Sequence, residues 1–280
     1  MASSQTFIPQ ISFLIFFVLT LPSCTPIETS ERITLPTPSP SLAWWTPAQG
    51  LRYQIQFVDY PLDLKVEADI FEVDLFETPA ETIEALHGTG RRVVCYVNAG
   101  AWEAFRPDAG DFPQEVIGRD YTGWPGEKWL DISRYEIFSD LMEKRFDLAV
   151  EKGCEAVETD NVQGYRHSTG FSISYGDQLA FNQWLSEQAH KRGLAIGLKN
   201  DPEQVNELLP FFDFAVVEDC AVHGECGMYL PFIQQGKAVF QIEYTDQFKS
   251  ASQFCLQTPA NKFSGLLKNR WLDAIVYFCD

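Results

Sequence analysis

The chain has 280 residues and is 45% hydrophobic, enough for one sizeable core. Its 39 acids against 21 bases leave a net charge of −18. That balance disfavours nucleic-acid phosphates and anionic membrane surfaces as partners and leaves neutral or cationic ligands open.

Ile11 to Cys24, "ISFLIFFVLTLPSC", reads as a secretory h-region ending in small residues, although no Lys or Arg precedes it. The ending Leu21-Pro22-Ser23-Cys24 also resembles a lipoprotein cleavage box, with Pro departing from that pattern; processing there would leave a lipid on Cys24. Residues 1–24 are thus expected to be a signal peptide, and the mature protein to be extracellular or cell-surface. Residues 25–42 are rich in Pro, Ser and Thr and predict a solvated tether. A single folded domain is expected from "AWWTP" onward, over 43–280, as a monomer. No later apolar run is long enough to span a bilayer.

Export changes the reading of the six cysteines beyond Cys24, which predict up to three disulfides. A short loop favours Cys220 with Cys226, and Cys255 with Cys279 would tie down the tail. Strand parity disfavours Cys95 with Cys154, unless Cys154 precedes its strand. No metal-ligand spacing is evident, and no cofactor is expected.

From residue 52 onward, β-rich runs alternate with helical or mixed stretches. The runs are "RYQIQFVD", "DIFEVDLFE", "RRVVCYVNAG", "CEAVETDN", "LAIGLKND", "FAVVEDC", "KAVFQIEY" and "DAIVYF". Residues 134–153 predict a helix stopped by Gly153, and 177–193 another with Asp177 as N-cap. Eight strands with crossovers in one domain predict an α/β fold, a (β/α)8 TIM barrel. An open doubly wound sheet is the competing architecture; no G-x-G-x-x-G follows the first run.

Residues two apart on a strand share a face. Taking the apolar set as facing the helices puts Gln54, Gln56, Glu72, Asp74, Glu158, Asp160, Gln241 and Glu243 inside the barrel. Glu218 ends the sixth run as Asp160 ends the fourth. Barrel interiors are ordinarily filled with Val, Ile and Leu. One such acid is readily a strand-end cap; acids on four strands toward the active-site end suggest chemistry. Clustered carboxylates suit glycoside hydrolysis, in which one protonates the leaving oxygen and the other attacks the anomeric carbon or activates water. Trp102, Trp124, Trp129, Tyr165 and Tyr244 lie where rings would stack on sugars, though each could equally be a packing residue.

The motifs "VVCYVNAGAWEAFRPDAGDFP", "GWPGEKWLDI", "KGCEAVETDNVQGY", "GLKND", "FAVVEDC" and "KAVFQIEY" resemble the endo-α-1,4-polygalactosaminidase family, glycoside hydrolase family 114. The resemblance covers nearly all of the mature domain. It implies a TIM barrel that cleaves galactosamine-containing polysaccharide internally, with its two catalytic acids at Asp160 and Glu218. The family commonly has Pro at the position of Thr159, Asp at that of Glu155 and Gln at that of Asp219. An acid at 219 is expected to raise a neighbouring carboxyl if both share the site.

Asp160 is expected to be the nucleophile and Glu218 the acid/base. Around them a polysaccharide-binding shell is expected from Asp74, Tyr96, Asn98, Trp129, Asp131, Glu158, Asn161, Tyr165, Lys199, Asn200, Glu243 and Tyr244. Asp74, Glu158 and Glu243 would meet substrate ammonium groups or support the acids; Arg106 and Asp131 lie in the long loop after the third strand, where a lid or subsite wall could form, and loop salt bridges are the preferred reading for both. Two other functions fit the barrel: a Schiff-base lyase using Lys199, and a barrel that binds polysaccharide without cleaving it.

Overall fold

The computed structural model describes residues 43–255, 258 and 262–279. The expected signal peptide, 1–24, and tether, 25–42, lie outside the described residues. The chain begins its alternation with β1 (Tyr53–Gln56), β2 (Ile70–Asp74), α1 (Ala80–Gly88) and β3 (Arg92–Asn98). An excursion then forms β4 (Ala101–Glu103), β5 (Ile117–Asp120) and β6 (Glu127–Leu130), a separate antiparallel sheet in the order β4-β6-β5. The alternation resumes with α2 (Ser139–Lys152), β7 (Ala156–Asp160), α3 (Tyr175–Lys191), β8 (Ala195–Lys199), α4 (Val205–Leu208) and β9 (Phe214–Glu218). It ends with α5 (Cys220–His223), α6 (Leu230–Gln234), β10 (Ala238–Tyr244), α7 (Ser252–Cys255), β11 (Ser264–Lys268) and β12 (Tyr277–Phe278).

The main sheet runs β1-β2-β3-β7-β8-β9-β10-β11-β12, with every neighbour parallel except β12. Eight parallel strands in chain order, interleaved with helices, make an α/β barrel. The eighth strand is "SGLLK" rather than the expected "DAIVYF". Gly265 hides it from a β-propensity reading: a Cβ there would lie 2.6 Å from Thr258 and 2.8 Å from Cys279 Sγ. Part of "DAIVYF" instead returns antiparallel, pairing Tyr277 with Leu267.

Between β11 and β1 the seam is filled by the segment after β11. Phe57 N donates to Leu272 O (2.8 Å), Gln54 Nε2 to Ala274 O (3.0 Å), and Lys268 Nζ to Gln54 Oε1 (3.1 Å) and Asp273 O (2.5 Å). Burial pulls the Lys268 ammonium down to about 7.

The expected facing holds in β2 and β7, where Phe71, Val73 and Val157 join the layer under the helices. It is reversed in β1 and β10. Ile55, Phe240, Ile242 and Tyr244 pack inside the barrel with Tyr53, Ile70, Val94, Phe214 and Val216. Both faces of a barrel strand are buried, so polarity alone does not say which face is which. Gln54 meets the closing segment, Gln56 Nε2 donates to Val58 O (3.0 Å), and Gln241 and Glu243 find donors outside the barrel at Thr258 and Ala221 N. Gly197 leaves room for the Phe214 ring, which would sit 2.4 Å from a Cβ.

Gly153 stops α2 with φ 91°, as expected. The helix begins at Ser139, because 132–137 form a kinked 3-10 segment. The N-cap of α3 is Ser174; Asp177 is its partner in a capping box, with Ser174 N donating to Asp177 Oδ2 at 2.8 Å. Three disulfides join Cys95 with Cys154, Cys220 with Cys226, and Cys255 with Cys279. The first overturns the parity argument, because Cys154 precedes β7 and packs in the outer layer with Cys95. No helix among the described residues is long and apolar enough to cross a membrane.

Candidate active site

Parallel register brings the polar strand ends together: Asn98 pairs with Asp160, Tyr96 with Glu158, and Tyr244 with Lys268. At the centre stands Lys199, on the last position of β8 and buried. Its Nζ lies 3.1 Å from Asp160 Oδ1, 3.3 Å from Glu218 Oε2 and 3.6 Å from Glu158 Oε1. Burial favours the neutral amine, but the fields of Asp160, Glu218 and Glu158 outweigh it and hold the Lys199 pKa well above the usual lysine range.

Asp160 is held by three donors: Lys199, Tyr96 OH on Oδ2 (2.9 Å) and its neighbour Asn161 N on Oδ1 (2.7 Å). Asn161 reaches that geometry with φ 63° and donates Nδ2 to Asn98 Oδ1 (3.0 Å). The turn is tight: a Cβ on Gly100 would fall 1.8 Å from Asn161 O. Glu218 accepts the Tyr244 hydroxyl on Oε1, and its own N donates to Asn200 Oδ1 (2.9 Å).

Beneath them lies a second pair of carboxyls. Glu72 and Glu158 are fully buried. Tyr53 OH donates to Glu72 Oε2 (2.5 Å). As two carboxylates the pair has only acceptors, and Glu72 Oε1 and both Glu158 oxygens then lack a donor. A proton shared between them gives one oxygen of each carboxyl a partner. Desolvation lifts Glu72 to about 7, against the Tyr53 hydrogen bond and Lys199. Desolvation, opposed by Lys199 and reinforced by Glu72, raises Glu158 well above the carboxylate range.

The other expected residues are placed differently. Asp74 faces inward but is clamped by Arg106, which pairs with it at 2.7 Å, and by the N–H groups of Phe76 and Glu77 (both 2.9 Å). Asp131 is tied to Ser133 (2.6 Å) and Arg134 (2.8 Å), a loop salt bridge. Glu243 faces outward and accepts from Ala221 N (2.8 Å) at the start of α5. Trp129 is buried between the rings of Tyr121 (4.6 Å) and His167 (4.8 Å). Tyr165 donates to Asp201 and Glu203, both at 3.1 Å.

Strand periodicity missed Tyr121, Glu127 and His167, which the excursion sheet and a later loop carry to the rim. Desolvation, then the charges of Glu103 and Asp160, push Glu127 up to about 8. The available signal was local: Glu127 lies inside the conspicuous "WPGEKW" stretch. Asp219, next to Glu218, does not act as a free charge on the site, because Arg270 Nη1 and Nη2 grip its two oxygens at 2.5 and 3.1 Å. The one cluster of metal-type ligands among the described residues, Cys220, Cys226 and Glu243, has its two sulfurs bonded to each other.

A strand-tip pair of carboxylates around one lysine is the arrangement expected of a glycosidase, and the family comparison decides it. The family model of glycoside hydrolase family GH114 matches residues 35–280. The chain belongs to that family. As a GH114 member it is a glycoside hydrolase. A solved structure of Aspergillus fumigatus Ega3 in complex with galactosamine is 37% identical, with 85% of this chain and 98% of that one covered and a TM-score of 0.79. The glycoside hydrolase domain of PelA from Pseudomonas aeruginosa shares the fold at 12% identity, with 81% and 97% covered and a TM-score of 0.63. No curated protein sequence matches significantly.

Proposed function

We propose that this GH114 glycosidase cleaves α-1,4-linked galactosamine-containing polysaccharide within the chain, with Asp160 as nucleophile and Glu218 as acid/base. The observation that carries the pair is the single Lys199 ammonium, 3.1 Å from Asp160 and 3.3 Å from Glu218. The two carboxylate oxygens can be no farther apart than those distances laid end to end. We take the pair to act with retention, in which the second carboxylate attacks C1 directly.

In the first step Asp160 Oδ attacks C1 while Glu218 gives its proton to the glycosidic oxygen, releasing one chain end and leaving a glycosyl ester on Asp160. In the second, Glu218 takes a proton from water, whose oxygen attacks C1. The α-anomer is released, Asp160 leaves as carboxylate and Glu218 is again protonated. Tyr96 and Asn161 fix the orientation of Asp160, and Asn98 holds Asn161. Tyr244 and Asn200 do the same for Glu218 and its backbone.

Selectivity for an amino sugar rests on charge. Asp160 and Glu218 share one lysine at the mouth, and the whole chain carries −18. A substrate ammonium relieves that excess, and the galactosamine bound by Ega3 is consistent with such a ligand. Tyr165 and the exposed Trp124 are our candidates for sugar-stacking rings. The three disulfides suit an exported protein. The Schiff-base alternative runs against the field that keeps Lys199 protonated.

Partly deacetylated α-1,4-galactosaminan incubated with the protein should yield short oligosaccharides by mass spectrometry, with the α-anomer first in NMR spectra. No new oligosaccharides would leave a binding barrel. A β-anomer released first would remove the nucleophile assignment from Asp160.

A further inference from the structure

The loop after β11 carries a residue outside the strand-tip cluster that reaches Glu218 through another side chain. The Arg270 guanidinium lies over the Tyr244 ring at 4.0 Å from its centroid, and the Tyr244 hydroxyl donates to Glu218. The guanidinium is fixed from two sides. Asp219 grips Nη1 and Nη2, and Asp246 accepts from Nε at 3.0 Å. Its loop is pinned as well: Trp271 N donates to Asn269 Oδ1 (2.8 Å), and Leu272 O accepts from Phe57 N (2.8 Å), just after β1.

We infer that Arg270 is a positioning residue for the acid/base, acting through Tyr244, and that Asp219 sets how strongly it acts. This rests on the acid/base role proposed for Glu218. A cation on the ring face draws electron density from the phenol and strengthens O–H donation to the Glu218 carboxylate. The same cation offsets the charge of Asp219, which otherwise stands beside Glu218. The inside of the barrel presents the other groups that act on Glu218: Lys199 across the mouth with Asp160 on the same ammonium, Glu158 and Glu72 beneath it, and Tyr121 from the rim. None of these touches the Arg270–Asp219 pair, so the pair is a separate control on the protonation of one catalytic group.

The signs of the two charges separate this from a packing role. Glu218 must hold its proton for the first step, so its titration sets the alkaline limb of the kcat/KM profile. Arg270→Gln should move that limb upward by about one pH unit, because deprotonated Glu218 loses its support. Asp219→Asn leaves Arg270 charged and less neutralised, and should move the limb downward by about half a unit. Tyr244→Phe should move it upward, and Arg270→Lys, which keeps the charge, should return it most of the way to wild type.

The test is kcat/KM against pH on galactosaminan oligosaccharides for these four variants and Glu218→Gln, with circular dichroism of each. Opposite shifts for Arg270→Gln and Asp219→Asn carry the inference. If Glu218→Gln is inactive but the limb stays put, or moves the same way in both charge variants, the inference is overturned and the acid/base assignment stands. If Glu218→Gln stays active, the acid/base assignment itself fails. Should Arg270→Gln not fold, Asp219→Asn and Tyr244→Phe still decide: shifts of opposite sign support the inference and a static limb ends it.

Discussion

Two clusters of buried charge lie near one another on this barrel and are built oppositely. In the clamp below the excursion sheet, Arg106 joins Asp74 (2.7 Å) and Glu103 (2.7 Å), and Arg145 joins Asp108 (2.8 Å) while donating to Asn98 O (2.7 Å). Each cation there is a planar fork that meets its carboxylates through two or more hydrogen bonds. At the mouth, one lysine, a point charge, faces Asp160, Glu218 and Glu158, and carboxyl oxygens below it lack donors. Forked, hydrogen-bonded charge holds a loop in place. Carboxyls gathered around a single point charge leave groups that can exchange protons, which is what a glycosidase needs.

The comparison is broken most directly at the mouth. Asp160→Asn and Glu218→Gln should each lower kcat by about 1000-fold or more while melting temperature is kept or slightly raised, since each removes one of the excess charges. Substantial turnover in either variant takes that residue out of its role. The clamp should respond the other way. Arg106→Gln strands Asp74 and Glu103 as buried acids, and denaturant titration should find a loss of about 3–5 kcal/mol.

A finer test lies beneath the mouth. Folding raises Glu72 from 4.5 to about 7, so the folded state binds its proton more tightly than the unfolded state. Stability from this group is therefore greatest below about pH 4.5 and falls as pH rises through 7. Glu72→Gln, which keeps an acceptor for Tyr53, should stabilise the protein by a few kcal/mol at pH 8 and little at pH 4. An equal effect at both would show that Glu72 carries no extra proton. The smallest effect expected is at the rim, where Tyr165→Phe loses hydrogen bonds to Asp201 and Glu203. It should cost about 1 kcal/mol with kcat unchanged; a large fall in kcat would place that hydroxyl at the reacting bond.

Much of this was legible along the chain. The acids of "EVD" and "ETD", alternating with Phe71, Val73 and Val157, already gave β2 and β7 the correct inward face, because their outward residues are all large and apolar. The same logic failed in "YQIQ" and "FQIEY". There the barrel interior takes the apolar set, and Gln and Glu find partners outside it. The Cys95–Cys154 bond likewise escaped parity, because Cys154 lies before its strand begins.

The sequence by itself determined the barrel, the family and the two strand-end acids, since periodicity and motifs are local properties of the chain. Only the tertiary structure decided which acids are occupied and which are in excess. Asp74 and Asp131 are bound by arginines of the excursion after β3, Glu243 serves α5, and Asp219 is matched by Arg270 from 51 residues away. Whether a carboxylate is reactive depends on the donors that surround it, and those donors arrive from other strands and loops only when the barrel closes.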